Sequence, residues 1–517
     1  MAEPSTRLDP GHTFDHQQHL AHVRPKQRNS GPQTHFCNGS LLRSSYVFNF
    51  QIAETLELTQ GFFMTVWLLL AYALKLTKHR QLLISTLERV GIDSYACWDG
   101  YFHVFELAEN YDIDVVSDIF RCGYQAIKKR SAIVGCEAVP DLSSKQDSML
   151  KLREYGDKIE DFTVKDLRST DFPSFSELKE KNFPASTFRA EDLCPHGVWP
   201  APGEGLLMTF VRPNPIRAGV ILSWYILHAW ADQTTIHEWA RGIPTAEPVQ
   251  LHWEYREKGL ASTGKNPRKF EDHPQFTPIP FTPTELPPNL AADNHLGDVF
   301  YFSPESVRKL KVGASPENAK ITPESERPEW ISTADAMAAL IWRSVMSAQH
   351  DLDTMQGNPQ SILAGTLDVR RRMHVPIHPQ TLGNFWALSH TTMDIRSNLA
   401  IAVRRTLQDV NRQSYYDEIA SLVEQLEDVH RLPMIECARD WLHSHDLGRY
   451  PLFDLNWGTA LGKVQSMRLP VTGMLQCLEA VLPRLPDGGL EVYVGVEKSR
   501  LDRLRKNPEW RKFAELR

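Results

Sequence analysis

The chain has 517 residues, of which 42% are hydrophobic and 23% are charged, a composition typical of soluble globular proteins rather than disordered or fibrous ones. Because one hydrophobic core rarely organises a chain of this length, two domains are expected. The formal net charge of −7 disfavours a nucleic-acid-binding protein, which needs a broad basic surface, although an anionic cofactor would need only a local basic pocket.

The N-terminal part of the chain is polar and then becomes apolar. Residues 1–45 are rich in polar residues, histidine and proline and show no signal peptide, which predicts a disordered leader. The segment from Leu58 to Leu74 contains no charged residue. A membrane-spanning helix needs about 20 apolar residues, so a buried or interfacial helix is the preferred interpretation of this run. A membrane partner is therefore not expected. The apolar run is the one feature of the sequence that favours membrane association.

The seven cysteines are scattered along the chain and form no Cys-x-x-Cys pair. Their spacing gives no support to a zinc site or to a thioredoxin-like redox site. Reduced thiols are typical of intracellular proteins, so we predict a cytoplasmic protein without a bound metal.

Prolines concentrate near the middle of the chain. Nine of the 34 prolines lie between Pro244 and Pro288. Because proline cannot donate a ladder hydrogen bond or sit inside a helix, this stretch predicts an irregular connector. We therefore predict an N-terminal domain over residues 46–243, atypical in its first part, a proline-rich crossover linker over residues 244–292, and a C-terminal domain over residues 293–517.

Strand and helix patterns alternate in both halves, which predicts two α/β domains. A hairpin is predicted where two β-rich runs flank the segment Arg-Pro-Asn-Pro-Ile-Arg-Ala, and a helical pattern follows from Ile236. In the second half, Ser332 or Thr333 is a candidate N-cap for a helix that reaches Gln349, and a charged amphipathic helix follows Glu497. The predicted strands are Leu206–Val211, Gly219–Leu227, Asp298–Phe302, Ser361–Leu367 and Gly489–Val496.

The chain contains two His-x-x-x-Asp pairs, His228 with Asp232 and His390 with Asp394. About one such pair is expected by chance in a chain with this many histidines, so the spacing alone is uninformative. His390 lies in a mixed run that favours a packed or surface histidine. His228 directly follows the predicted strand over residues 219–227, and a strand end is both rigid and open to a cleft. A neutral imidazole there could take a proton from an alcohol, which makes His228 the candidate general base.

Two longer motifs and several short segments carry a family resemblance. The first motif is His228-Ala-Trp-Ala-Asp232, and the second is Asp454-Leu-Asn-Trp457-Gly458 near the C-terminus. The short segments that fall in order around them are Asp161–Leu167, Asn182–Pro184, Ser332–Arg343, Asp368–Met373, Gly383–Asn384 and Gly488–Gly495. From about Asp118 onward, the chain resembles the BAHD acyltransferases, in the fungal branch that includes trichothecene 3-O-acetyltransferase.

The resemblance implies an α/β fold of two chloramphenicol-acetyltransferase-like domains with a central channel between them. Acyl-CoA and an acceptor alcohol would enter from opposite faces of a monomer and meet at His228. Transfer would be direct, with His228 as general base, and would need neither an acyl-enzyme nor a permanently bound cofactor. The implied activity is that of an acyl-CoA-dependent O-acyltransferase, with acetyl-CoA as the expected donor and a hydroxyl of a fungal secondary metabolite as acceptor.

The resemblance also assigns roles around His228. Asp232 is expected to pair with Arg370 and to hold the backbone of the motif, a structural role, rather than to orient the imidazole. Asp454 is the second candidate catalytic residue, close to the CoA channel, where an architectural role is also implied. The expected cofactor-binding residues, of which the basic ones would meet CoA phosphates, are Trp457, Gly458, Lys463 and Arg468. Trp457 could equally be a core aromatic residue, and each basic residue could equally be a solvated surface charge.

Departures from the family pattern keep alternatives open. Gln233 follows Asp232 where the family usually has glycine, and the family's opening strand, helix and turn are not found in the N-terminal part. These departures motivate an alternative function, that of a catalytically impaired ligand-binding pseudoenzyme with the same fold. A free-standing condensation domain of peptide synthesis would share the fold, but its motif normally has paired histidines, whereas Leu227 precedes His228 here.

Overall fold

A computed structural model of the chain describes residues 98–147, 150–156, 160–196, 206–228, 230–245, 263–265, 268–273, 295–319, 322–350, 357, 359–372, 377–428, 441–471 and 478–517. The predicted leader over residues 1–45, the apolar run from Leu58 to Leu74 and most of the predicted linker over residues 244–292 lie outside these ranges. Among the described helices, none has the length and apolar character needed to cross a membrane.

Strands and helices interleave in both halves of the described chain, as predicted. The strands are β1 (Trp98–Glu106), β2 (Cys136–Pro140), β3 (Leu150–Glu154), β4 (Leu206–Leu207), β5 (Thr209–Ile216), β6 (Gly219–Leu227), β7 (His295–Phe302), β8 (Gln360–Asp368), β9 (Trp386–Asp394), β10 (Trp441–Asp446), β11 (Ser466–Arg468), β12 (Leu478–Val481), β13 (Leu490–Glu497) and β14 (Ala514–Leu516). The α-helices are α1 (Ile113–Arg130), α2 (Phe175–Glu180), α3 (Ala190–Leu193), α4 (Gln233–Thr245), α5 (Pro304–Gly313), α6 (Thr333–Gln349), α7 (Leu399–Val410), α8 (Gln413–Glu424) and α9 (Lys498–Lys506).

A four-stranded antiparallel sheet with the order β11-β1-β6-β5 organises the first half. All nine residues of β6 are buried, because this inner strand has neighbours on both sides and packs both of its faces. The edge strand β11 comes from the second half of the chain, where Arg468 pairs with Phe102 of β1. A second sheet has the order β3-β2-β4. The division of the chain at residues 244–292 stays a prediction. β11 follows this stretch in the sequence but belongs to the sheet of the first half.

The predicted hairpin is present, but β5 extends through the segment that the sequence assigns to its loop. β5 pairs with β6 over its whole length, and the chain reverses at Ala218, whose φ is +56°. Pro213 and Pro215 fit into β5 because it is an edge strand. The segment beside β5 donates hydrogen bonds at both prolines: the N–H groups of Lys165 and Leu167 donate to the carbonyls of Pro213 and Pro215. At these two positions the sheet therefore needs no backbone N–H donor, which proline lacks.

The helix α1 closes the core of the first half. Asp112 caps its N-terminus, where the carboxylate accepts hydrogen bonds from the N–H groups of Asp114 and Val115. On the inner side, Phe120 packs in one buried cluster with Trp224 of β6. The strand β6, which His228 follows, therefore belongs to the core that α1 closes.

A mixed seven-stranded sheet with the order β14-β7-β13-β12-β10-β8-β9 organises the second half. β8, β10 and β12 run parallel, and the other neighbours are antiparallel. The three strands predicted here correspond to β7, β8 and β13, with bounds that differ by at most three residues. The structure confirms these three strands. They could be predicted because each is a local run of β-forming residues.

The helix α6 begins where the sequence predicts it. The Ser332 hydroxyl accepts the Asp335 N–H at 3.1 Å, and the Asp335 carboxylate accepts the Ser332 N–H at 2.6 Å, which completes a capping box. Asp335 also pairs with Arg404 of α7. These contacts fix the start of α6 against its neighbouring helix.

The two faces of the seven-stranded sheet are covered differently. On one face, Leu363 of β8 packs in a cluster with Leu340 of α6. On the other, Ala480 of β12 packs in a cluster with Trp224 of the first half. Residues paired across neighbouring strands share a face, so His445, which pairs with Ala480, is turned toward the first half. The two halves of the chain meet at this second face.

Candidate active site

His228 is the first residue after β6, at the junction of the two halves. Its Nδ1 lies 3.3 Å from the carbonyl oxygen of Ala231, and its own carbonyl accepts a hydrogen bond from the Asn384 side chain at 3.0 Å. The imidazole stacks on the Trp386 ring of β9, with ring centres 6.0 Å apart and an interplanar angle of 20°. Contacts from both halves therefore hold this half-buried ring.

The contact with Ala231 selects one tautomer of His228. A carbonyl oxygen can only accept a hydrogen bond, so the proton of the neutral imidazole lies on Nδ1. The lone pair then lies on Nε2, which is the nitrogen that can accept a proton. A backbone carbonyl is therefore one of the groups that orient the ring.

The ion pair predicted between Asp232 and Arg370 is present and buried. Arg370 Nη1 donates to Asp232 Oδ2 at 2.6 Å, and Nη2 donates to Oδ1 at 2.9 Å. The carboxylate also accepts the backbone N–H groups of Phe385 and Thr235. None of these hydrogen bonds goes to His228. The geometry is that of a bidentate clamp between the halves, which is the strong form of an arginine–carboxylate pair.

A second set of hydrogen bonds fastens the histidine motif to the second half. The Thr235 hydroxyl donates to the Gly383 carbonyl at 2.8 Å and accepts the Gly383 N–H at 2.9 Å. Arg370 donates to the carbonyls of Thr381 and Gly383. Gly383 adopts a φ of +135°, which favours glycine. The Gly383-Asn384 segment is therefore part of the site, a role that its sequence did not reveal.

Two further histidines lie on the sheet face turned toward the first half. Burial, and then the charge of His228, lower the pKa of His445 to about 3. Burial, and then the charge of His273, lower the pKa of His390 to about 4. Both rings are therefore neutral near physiological pH. His390 lies within β9, in line with its sequence interpretation, whereas the nearness of His445 to His228 has no sequence signal, because it depends on strand pairing.

Gln233 is accommodated without a left-handed backbone. It begins α4, and its side-chain oxygen accepts a hydrogen bond from the Tyr101 hydroxyl at 2.9 Å. Among the described residues, the non-glycine positions with positive φ are Asn182, Phe183 and Ala218. The residue that replaces the family's glycine is thus tied to β1.

Trp457 lies in the hydrophobic core, which favours the core-aromatic interpretation of this residue over cofactor binding. The side chain is 2% exposed and packs edge-on against Phe105, with ring centres 5.2 Å apart, and against Phe120 at 6.3 Å. A ring enclosed in this way cannot contact a cofactor without repacking the core of the first half. The second motif therefore anchors a loop to that core.

Gly458 and Lys463 lie in the loop that Trp457 anchors. The Trp457 N–H donates to the Gly462 carbonyl at 2.7 Å, and the Gly462 N–H donates to the Gly458 carbonyl at 2.8 Å. Gly458 has a φ of +87°, so its glycine is explained by the turn. Lys463 is exposed. Contact of Gly458 and Lys463 with a cofactor stays a prediction.

Arg468 is buried, and all three of its guanidinium nitrogens donate hydrogen bonds within the protein. This corrects the prediction that it binds a CoA phosphate. It is 1% exposed. Its two Nη atoms donate to the carboxylate of Glu491 at 2.7 and 3.0 Å. The remaining donors go to the carbonyls of Phe183, Met467 and Asn182. Arg468 therefore holds the left-handed turn of the Asn182-Phe183-Pro184 segment.

Replacing Arg468 with lysine is expected to destabilise the fold by about 1–3 kcal/mol, because one ammonium group cannot satisfy the oxygens that the guanidinium now binds. The dissociation constant for CoA should stay unchanged. Urea unfolding and calorimetric titration of CoA would measure the two effects separately. A large loss of CoA affinity with unchanged stability would restore the phosphate-binding role.

A cavity of about 850 Å³ lies on the helix-covered side of the seven-stranded sheet. The start of α6, strands β8, β9, β10 and β12, and the loops after β10 and β12 form its wall. Asp454 lines this cavity, whereas His228 does not. A catalytic role of Asp454, close to the CoA channel, stays a prediction.

Two family models match the chain. A model of the Transferase family matches residues 215–451, and a model of the trichothecene 3-O-acetyltransferase-like N-terminal domain matches residues 101–241. The stretch shared by the two models contains His228 and Asp232.

Fungal proteins are similar to this chain over much of its length. Enoyl-CoA isomerase/hydratase claC of Penicillium crustosum is 25% identical over 445 residues, which are 79% of this chain and 48% of that protein, so the chain spans about half the length of this relative. Acyltransferase clz6 of Cochliobolus lunatus is 24% identical over 388 residues, which are 65% of this chain and 75% of that protein.

The crystal structure of F. graminearum TRI101 complexed with coenzyme A and T-2 mycotoxin has the same fold. It matches with a TM-score of 0.68 at 18% identity, over 84% of this chain and 99% of that chain. At this identity the likeness concerns the fold alone. The predicted α/β fold of two chloramphenicol-acetyltransferase-like domains is confirmed.

Proposed function

Because this chain belongs to the BAHD transferase family, we propose that it transfers an acyl group from acyl-CoA to a hydroxyl of a fungal secondary metabolite, with acetyl-CoA as the donor. The name of the Cochliobolus lunatus relative, the N-terminal family model, and the coenzyme A and T-2 mycotoxin held by F. graminearum TRI101 support this proposal. The observation that carries it is His228, oriented at the junction of the two halves with the tautomer that a general base needs.

The proposed reaction is a direct displacement. Nε2 of His228 takes the proton of the acceptor hydroxyl as its oxygen attacks the thioester carbonyl carbon. A C–O bond forms, and the tetrahedral intermediate collapses with cleavage of the C–S bond. The departing CoA thiolate receives the proton from His228, so the products are the ester and free CoA. No side chain becomes acylated.

Asp232 is proposed to act on this step only through position. Its carboxylate is saturated by Arg370, Phe385 and Thr235, so it has no role left in orienting the imidazole. The clamp instead fixes the turn that carries His228 against the second half. Proton transfer requires the base within about 3 Å of the hydroxyl, so the position of this turn governs the rate.

Product formation from mixed substrates tests the proposal. Purified protein would be incubated with acetyl-CoA, or with a longer acyl-CoA, and a panel of terpenoid and polyketide alcohols. Mass spectrometry should find an acylated alcohol that requires both substrates and protein. Tight CoA binding without product from any alcohol would contradict the proposal and favour the pseudoenzyme alternative, which draws no support from the relatives.

A further inference from the structure

Arg370 binds a second carboxylate besides that of Asp232. Asp368, the last residue of β8, accepts hydrogen bonds at Oδ1 from the Arg370 N–H at 3.0 Å and from Arg370 Nη1 at 3.2 Å. Nη1 also donates to Asp232 Oδ2, so one guanidinium nitrogen is shared by two carboxylates. Two negative charges on one buried cation call for a further positive charge nearby.

Arg449, in the loop after β10, supplies that charge. Its Nη2 donates to Asp368 Oδ2 at 3.0 Å. Burial alone would raise the pKa of Asp368, but the charge of Arg370, the Arg370 N–H and the charge of Arg449 together lower it. Asp368 is therefore ionised near physiological pH. Asp232, Arg370, Asp368 and Arg449 form a chain of alternating charges that sum to zero.

Tyr450 closes this chain of contacts back onto the histidine motif. Arg449 Nη2 also donates to the Tyr450 hydroxyl at 2.6 Å, and this hydroxyl lies 2.8 Å from that of Thr234. Thr234 follows Asp232 by two residues, at the start of α4. The turn that carries His228 is therefore held at two points by one closed network. The network consists of Asp232, Arg370, Asp368, Arg449, Tyr450 and Thr234.

Arg449 is the most exposed member of this network. Its side chain is 52% exposed, against 20% for Asp368 and 0% for Arg370. Arg449 and Tyr450 both line the cavity on the helix-covered side of the seven-stranded sheet. Because exposed ion pairs contribute little to folding, a small loss of stability is expected when Arg449 is replaced. Its effect on the site can therefore be measured in a folded protein.

We propose that Arg449 is a positioning residue, which holds the turn that carries His228 through Asp368 on one side and through Tyr450 on the other. The inference rests on the proposed acyltransferase function. Proton transfer needs the base close to the acceptor hydroxyl, so a loosened turn slows the chemical step more than it weakens the binding of either substrate.

Kinetics with the cognate alcohol test the positioning role. Arg449→Met keeps the length of the side chain but removes its charge and its donors. A misplacement of about 1 Å can cost about 10²-fold in rate, and Arg370 still holds Asp232 in this variant, so kcat should fall about tenfold. In the wild type one nitrogen makes both contacts, which an ammonium group can also make. Arg449→Lys should therefore keep kcat within about threefold of the wild type.

Arg484 provides a control within the same cavity. It lines the cavity as Arg449 does, but its guanidinium donates to the Gly488 carbonyl, outside the network. Arg484→Met removes the same charge, so an effect of charge on the approach of a substrate should appear in KM for both variants. The kcat of Arg484→Met should stay within about threefold of the wild type, because the turn is still held.

A second variant tests whether the contacts act as one unit. Tyr450→Phe removes the hydroxyl that joins Arg449 to Thr234 and keeps the aromatic ring. Its kcat should also fall, and the double variant with Arg449→Met should lose less than the product of the two single losses. Losses that multiply would show that the two residues act separately, which contradicts a shared network.

Hydrogen exchange measures the hold on the turn without any substrate. The N–H groups of Thr235 and Phe385 donate to the Asp232 carboxylate, so their exchange reports how firmly this carboxylate is held. In Arg449→Met, peptides that contain these two N–H groups should exchange about tenfold faster than in the wild type. The same peptides in Arg484→Met, and peptides from β13 in both variants, should exchange at the wild-type rate.

The outcomes separate this inference from the proposed function. Wild-type exchange in Arg449→Met, or equal losses of kcat in Arg449→Met and Arg484→Met, would overturn the positioning role and leave the acyltransferase function intact. Faster exchange with unchanged kcat would limit Arg449 to stabilising the fold, which also overturns the inference. Absence of product from the wild type with every alcohol would contradict the acyltransferase function, and with it a positioning role in acyl transfer.

Discussion

Replacing His228 with alanine is expected to lower kcat by about 10²- to 10⁴-fold, the usual contribution of a positioned general base. KM for the acyl donor should change little, because the imidazole acts on the proton of the acceptor hydroxyl. The ring stacks on Trp386 and contacts the Ala231 carbonyl, so its removal leaves the main chain of the motif in place. Steady-state kinetics with the cognate alcohol would measure the effect.

The second His-x-x-x-Asp pair provides the matched control. His390 lies four residues before Asp394, as His228 does before Asp232, but it lies inside β9 rather than at a strand end. His390→Ala should keep kcat within about tenfold of the wild type, since it removes no proton acceptor from the reaction. Equal losses in the two variants would show that the strand-end position does not distinguish the base. Unfolding curves would exclude loss of fold as the cause.

Replacing Arg370 with alanine is expected to destabilise the protein by about 3–5 kcal/mol, because the buried carboxylate of Asp232 loses its counter-ion. Arg370 is 0% exposed, so its removal leaves the Asp232 carboxylate in a buried site without a charged partner. Arg370→Lys keeps the charge but loses the two-pronged contact, and an intermediate loss is expected. Urea unfolding followed by circular dichroism would measure both. A loss below about 1 kcal/mol for the alanine variant would place this pair among weak surface pairs.

The ion pair between Asp232 and Arg370 should also affect catalysis, whereas an ion pair that only stabilises the fold would not. At a temperature where it stays folded, Arg370→Lys should lower kcat, because the turn that carries His228 is less firmly held. Arg468→Lys is the matched control, since Arg468 also forms a buried pair, with Glu491, but holds a different turn. Equal kcat values in the two variants would remove the positioning role of Arg370.

Local patterns in the sequence predicted the elements whose causes are local. The helix that follows Ser332 starts where predicted because its capping box lies within four residues. The strand that ends at Leu227 was predicted because its run of β-forming residues is continuous. The strand β5 was predicted too short, because tolerance of Pro213 depends on an edge position that only the assembled sheet defines.

The part of the site in which both interacting residues belong to family motifs was predictable from the sequence. The pairing of Asp232 with Arg370 followed from the family resemblance, and the structure contains it. Burial of Arg468 was not predictable, because its partners, such as the Phe183 carbonyl, lie far away in the sequence.

The balance between the two products tests the central claim most directly. Free CoA and acylated alcohol would be quantified by mass spectrometry in the same reaction, for the wild type and for His228→Ala. Direct transfer with His228 as base predicts equal amounts of both products from the wild type and the joint loss of both in the variant. Release of CoA without acylated alcohol, or an equal yield of acylated alcohol from the variant, would contradict it.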